Sequence, residues 1–121
     1  MDAKEKGLML LGKLLDCDMN SVAVNNIFTV PTGKTCIVHS VCVLADGDMS
    51  SASFGFGFDA SGVDCLASAV HANLNGSTKY APLVMQDAAV KGAAGGVFKC
   101  GVTTAHGSAV TADLYVFGYL L

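Results

Sequence analysis

Apolar residues recur along this chain mostly at a spacing of two, in short runs broken by Gly, Pro, Asn and Asp, which is the pattern of half-buried strands rather than helices. The strongest signal is residues 27–45, where Ile27-Phe28-Thr29-Val30 and a run from Thr35 to Ala45 flank Pro31-Thr32-Gly33. Pro31 presets φ for a turn and Gly33 can take the left-handed conformation, so the stretch predicts a bulged hairpin. Under strict alternation Ile37, Val41 and Val43 point one way and Cys36, Val38, Cys42 and Leu44 the other. That strand is expected to be apolar on both faces and to need cover on each.

The same reading carries along the chain. Residues 1–6 are polar and expected to fray. Residues 7–15 predict a strand and residues 16–20 a turn. Residues 21–30 predict a strand with Val22, Val24, Phe28 and Val30 on one face, and Asn25-Asn26 marks a bulge or a break in it. After a turn at Asp46-Gly47-Asp48, residues 53–58 place Phe54, Phe56 and Phe58 on a core face and Gly55 and Gly57 on the other, where another backbone can come close. Residues 59–64 are loop. Residues 65–85 predict a hairpin around Asn75-Gly76, with a short helix over residues 64–69 as the competing pattern. Residues 86–96 are a Gly-rich loop. Residues 97–104 alternate Phe98, Cys100 and Val102 against Lys99, Gly101 and Thr103. Residues 109–121 set Val110, Ala112, Leu114, Val116 and Leu120 inward and Thr111, Asp113, Tyr115, Phe117 and Tyr119 outward. Eight or nine short strands with long connections predict an all-β, jelly-roll-like β-sandwich, a single domain over residues 1–121.

Composition then changes the picture in one respect. Apolar residues make up 52% of the chain and charged residues 14%, against an ordinary charged share of about 25%. The surface is short of charge, and part of it is expected to be covered by another copy. Tyr115, Phe117 and Tyr119 on the last strand are the expected seam, with His39 and Val41 beside them.

All seven basic residues are lysine and the net charge is −3, which argues against a nucleic-acid partner. Neither a membrane span nor a signal peptide is expected, because residues 7–15 are too short and are interrupted by Gly12 and Lys13. Five cysteines form an odd set without Cys-x-x-Cys, so free thiols are expected. Cys36 and Cys42, on one strand face, would stand about 20 Å apart.

Candidate chemistry is thin. Gly33-Lys34-Thr35 imitates the end of a phosphate loop, yet Phe28 stands where its first glycine belongs and no helix pattern follows. A calcium loop from Asp46 fails at Ser51 and at Gly57, where a glycine and a bidentate glutamate are needed. Of the three histidines, His39, His71 and His106, none has the spacing of a cupin-type cage, and the sole glutamate is Glu5. His39 reads as a hydrogen-bonded imidazole, with a ring of three copies the one arrangement that would make it a ligand. His39 and Ser40 are expected on opposite faces and so unable to act together. The charges of Asp16 and Asp18 disfavour a Cys17 thiolate. Asn75-Gly76-Ser77 reads as turn chemistry rather than a glycosylation site. No enzyme and no cofactor or metal is expected.

Residues 28–35, Phe-Thr-Val-Pro-Thr-Gly-Lys-Thr, with the following Ile37-Val38 and Val41-Cys42-Val43, resemble a turn and strand of small phage-type virion proteins with a jelly-roll sandwich. Residues 111–120 are similar to the closing strand of such domains. The resemblance implies a head-decoration, fibre or tail-associated role, a virion location, or a cytoplasmic one before assembly, and a trimer like those of tumour-necrosis-factor-like jelly rolls. It carries over no functional residue, because the matching positions are turn and core. A carbohydrate-binding module on the same fold is the alternative, with Tyr80 or Tyr115 as stacking platform.

Overall fold

The computed structural model describes residues 7–85 and 91–121. The expectations for residues 1–6 and for the first part of the Gly-rich loop lie outside them. The described residues contain nine strands and no helix: β1 (Met9–Asp18), β2 (Ala23–Thr29), β3 (Cys36–Ala45), β4 (Ser53–Gly57), β5 (Leu66–Val70), β6 (Tyr80–Val84), β7 (Lys91–Gly92), β8 (Val97–Thr104) and β9 (Thr111–Leu120). They form two antiparallel sheets. The first runs β1-β9-β3-β6, with β7 also on β3; the second runs β2-β8-β4-β5. This interleaving of strands between two packed sheets is the jelly-roll-like sandwich read from the alternation.

Both predicted hairpins are corrected. β2 pairs with β8 and β3 with β9, so the Pro31-Thr32-Gly33 turn carries the chain from one sheet to the other. The turn itself forms, with Gly33 at φ 76° and the Lys34 amide donating to the Pro31 carbonyl at 3.1 Å. Likewise β5 lies in the second sheet and β6 in the first, so Asn75-Gly76 sits in a connection between sheets. A turn sequence fixes the local bend, but the hydrophobic faces decide which strands meet across it.

Three bulges correct the faces. The β3–β9 register slips between Val38 and Ser40, so His39 is an extra residue that breaks the period of two. Cys36 and Val38 before it, and Val41, Val43 and Ala45 after it, all point into the core. The strand is thus apolar on one face, with Cys42 turned outward and Cys36 inward. In β2 the slip lies between Asn26 and Phe28, which turns Val22 and Val24 to solvent while Val30 is buried and Phe28 packs on the core. In β1 the slip between Leu14 and Cys17 places Asp16 at φ 56°, and its amide donates to the Asp113 carboxylate at 2.9 Å. The strand therefore continues to Asp18 where a turn was expected.

The core lies between the sheets. The second sheet supplies Phe54, Phe56 and Phe98, the latter two stacked with centroids 6.1 Å apart, and the first supplies Val38, Val41, Val43, Leu114 and Val116. Full burial of each such side chain stabilises the fold by about 1.5–3 kcal/mol. The outer face of the second sheet is covered by the chain itself. Gly55, Gly57 and Gly101 leave a trough there, and residues 61–66 fill it so closely that a Cβ at Gly55 or Gly101 would meet the carbonyl oxygen of Leu66 or Ser61. The approach expected of the glycine face is made by the molecule's own loop. Asp59 ties that loop by accepting from the Gly62 amide at 2.7 Å, and Lys99 Nζ donates to the Phe58 and Asp59 carbonyls at 3.0 and 3.1 Å.

Candidate assembly surface

The outer face of the first sheet has no such cover. Residues paired across antiparallel strands share a face, so the register gives its surface row by row. Leu10, Phe117, Ser40 and Val84 form one row, and Lys13, Tyr115, Cys42 and Pro82 the next. Asp113, Leu44 and Tyr80 form a third, while Tyr119, Ile37 and Lys91 stand at the other end. Seven of the ten exposed large apolar side chains, Leu8, Met9, Leu10, Leu15, Leu44, Tyr80 and Val84, belong to this sheet or to the residue entering it. The two ends differ in charge, with Lys91 beside Ile37 and Asp113 beside Leu44.

Tyr115, Phe117 and Tyr119 are half-buried on this face, where alternation in β9 places them. Their strand has a regular inward set because its bulges fall on its neighbours β1 and β3. His39 is exposed on the bulge of β3. Val41 is corrected: it is fully buried and points between the sheets, so it is not on the outer face. Cys42, Leu44 and Leu10 complete the surface and were not singled out. Finding them required the His39 bulge and the β1–β9 register, neither of which is written in a local pattern.

The bulge also overturns the separation of His39 and Ser40. His39 Nδ1 and Ser40 Oγ lie 3.0 Å apart on the surface. No carboxylate hydrogen-bonds this ring, so the pair lacks the third group that would orient it as a base. Among the described residues no three His, Cys, Asp or Glu side chains are grouped to hold a metal ion. Asp48, one of the proposed calcium-loop oxygens, instead accepts from the Ser50 amide and hydroxyl at 2.9 and 2.6 Å. These bonds hold its carboxyl below the usual range. His71 packs on Phe54 with ring centroids 4.9 Å apart, and burial pulls its pKa down. No helix among the described residues is long and apolar enough to cross a membrane.

No family model and no curated protein matches the sequence. Solved structures with this fold are found among phage capsids. A chain from the acidic stable capsid structure of Helicobacter pylori bacteriophage KHP30 is similar with a TM-score of 0.51 and 14% identity, over 95% of this chain and 95% of that one. A chain from the cyanophage Pam1 capsid asymmetric unit is similar with a TM-score of 0.54 and 15% identity, over 93% of this chain and 83% of that one. At this level of identity the likeness is one of fold, and the resemblance to phage virion proteins read from the turn at Pro31 and from the last strand extends in that sense over almost the whole chain.

Proposed function

We propose that this protein is a non-enzymatic structural component of a phage-like particle, in a head-decoration, fibre or tail-associated position. The observation that carries the reading is the fold shared along almost the full length with chains of two phage capsids. Copies associate through the outer face of the first sheet, and the occupant of that face is a second copy of this chain. Its opposite ends carry opposite charge, Lys91 at one and Asp113 at the other. A head-to-tail contact therefore pairs unlike charges while covering Tyr115, Phe117 and Leu44. Head-to-tail contacts close into rings when the rotation allows, and the count favoured by the resemblance is three.

Light scattering at micromolar concentration tests this. The wild type is expected at three chain masses, and Phe117→Glu, which puts a charge into the apolar row, at one. A monomeric wild type would remove the oligomer. The genes flanking its own test the particle role: capsid or tail neighbours support it, and a metabolic operon would count against it.

One observation favours the carbohydrate-binding reading: Tyr80 is 62% exposed on an edge strand, beside Leu44. An open ring at such a place can stack on a sugar. Glycan-array binding lost in Tyr80→Ala would support it, and binding unchanged in that variant would sink it.

A further inference from the structure

The thiols of this protein are not equivalent. Cys42 is half-exposed, whereas Cys17 and Cys100 are 3% and 0% exposed. Cys17 is on β1, level with Ala112 in the first sheet; Cys100 is on β8, level with Phe56 and Asn25 in the second. Although they belong to different sheets, their side chains hydrogen-bond to each other across the core. Asn25, which faces Cys100 across the β2–β8 ladder, keeps its side-chain Nδ2 buried without an acceptor. A donor is thus in place on the same inward face for negative charge that develops at sulfur.

We propose that Cys17 and Cys100 form an oxidation site at which a small peroxide creates a disulfide tying the first sheet to the second. The Cys17 thiolate attacks one peroxide oxygen and breaks the O–O bond, giving a sulfenic acid and hydroxide, which takes up the thiol proton as water. The Cys100 sulfur then attacks the Cys17 sulfur and expels the second oxygen as water with the remaining protons. Two thiols and one hydrogen peroxide become one disulfide and two waters. The hydrogen bond from Cys100 holds the Cys17 thiol below its ordinary range, against burial and the Asp18 charge, and pushes Cys100 well up. That makes Cys17 the attacking sulfur. A peroxide is small enough to reach a sulfur so nearly enclosed, where a glutathione-sized reagent is not.

Cys36 and Cys65 supply an internal comparison. They too come from strands or flanks of opposite sheets, but burial raises the Cys36 thiol, and burial with the Asp64 charge pushes Cys65 up to about 12. Neither offers much thiolate at neutral pH. Oxidation is therefore expected to select the pair at positions 17 and 100. The bond would close a loop of about 80 residues, long enough for a large reduction in unfolded-state freedom. It would stay open in a reducing cytoplasm and close outside it, whether or not the assembly reading holds.

The test is hydrogen peroxide on the native wild-type protein, followed by intact mass, non-reducing peptide mapping and thermal unfolding. The expected result is loss of two hydrogens per chain, a cross-link between the peptides holding Cys17 and Cys100, and a midpoint higher on the order of 10 °C, reversed by dithiothreitol. Cys100→Ala is expected to gain oxygen at Cys17 and form no internal cross-link. Oxygen addition without a cross-link in the wild type would overturn the proposal. So would a cross-link at other cysteines, or a midpoint unchanged or lowered.

Discussion

A side chain at position 118 would have nowhere to go. Gly118 lies in β9 between β1 and β3, and a Cβ there would meet the Ile37 carbonyl oxygen as well as a Leu11 methyl at 2.7 Å. Because Ile37 is backbone held in a ladder, relief needs the strands to move apart. Gly118→Ala is therefore expected to destabilise by about 1–3 kcal/mol, read as a midpoint lower by about 5–10 °C. Gly76→Ala is the control, since its nearest neighbour is the flexible Lys79 side chain at 3.8 Å; its midpoint should not fall. His71 gives a second prediction from single-residue physics. Burial favours its neutral ring, so its folded pKa lies below the unfolded value, which is about 6.5. Between those two values the unfolded chain binds more protons, and stability falls as pH drops through that window. Thermal midpoints measured from pH 7.5 downward should decline below about pH 6.5, and His71→Leu should flatten that part of the profile. An equal decline in both proteins would exclude His71 as the cause.

Along a strand, one extra residue reverses the meaning of every position beyond it. Residues 97–104 and 111–120 were legible because β8 and β9 keep the period of two, and so the outward placement of Tyr115, Phe117 and Tyr119 could be read directly. β3 could not be read that way. Its two apolar sets looked like two apolar faces until His39 was taken out of the count, and Val41 was misplaced for the same reason. Pairing was illegible for a different reason. The turns at Gly33 and Asn75-Gly76 favour local hairpins, whereas β3 and β5 find their partners far along the chain, and no local propensity encodes such a choice. The bulge leads to a sharp test. Deleting His39 leaves Cys36, Val38, Val41, Val43 and Ala45 inward in unbroken alternation. Its measured loss would be chiefly the hydrogen bond from the Met85 amide to the His39 carbonyl, 2.9 Å long, or about 1 kcal/mol. Deleting Cys42 instead would throw half the inward set outward and is expected to abolish cooperative unfolding. If the His39 deletion proved as damaging as the Cys42 deletion, the bulge would not be the spare residue described here.

For the molecule as a whole, order of synthesis and order of packing run against each other. β9, the last strand, lies between β1 and β3, and it contributes the buried Ala112, Leu114 and Val116 as well as the outward Tyr115 and Phe117. The first sheet cannot close until this strand arrives, because β1 has no other partner in it. Contacts so distant along the chain make folding slow relative to helical domains of the same size, and they make β9 a common requirement for folding and for the proposed assembly. The two roles separate by face. Removing residues 111–121 takes away an inner and an outer face together, and the product is expected to show no cooperative thermal transition. Phe117→Glu changes only the outer face and should give a folded chain with a near-wild-type denaturant slope, whose scattering mass alone drops. Thr103→Glu, on the exposed end of β8 in the second sheet, should leave that mass unchanged. A Phe117→Glu protein that unfolds, or a Thr103→Glu protein that dissociates as Phe117→Glu does, would show that the outer face of the first sheet is not where copies meet.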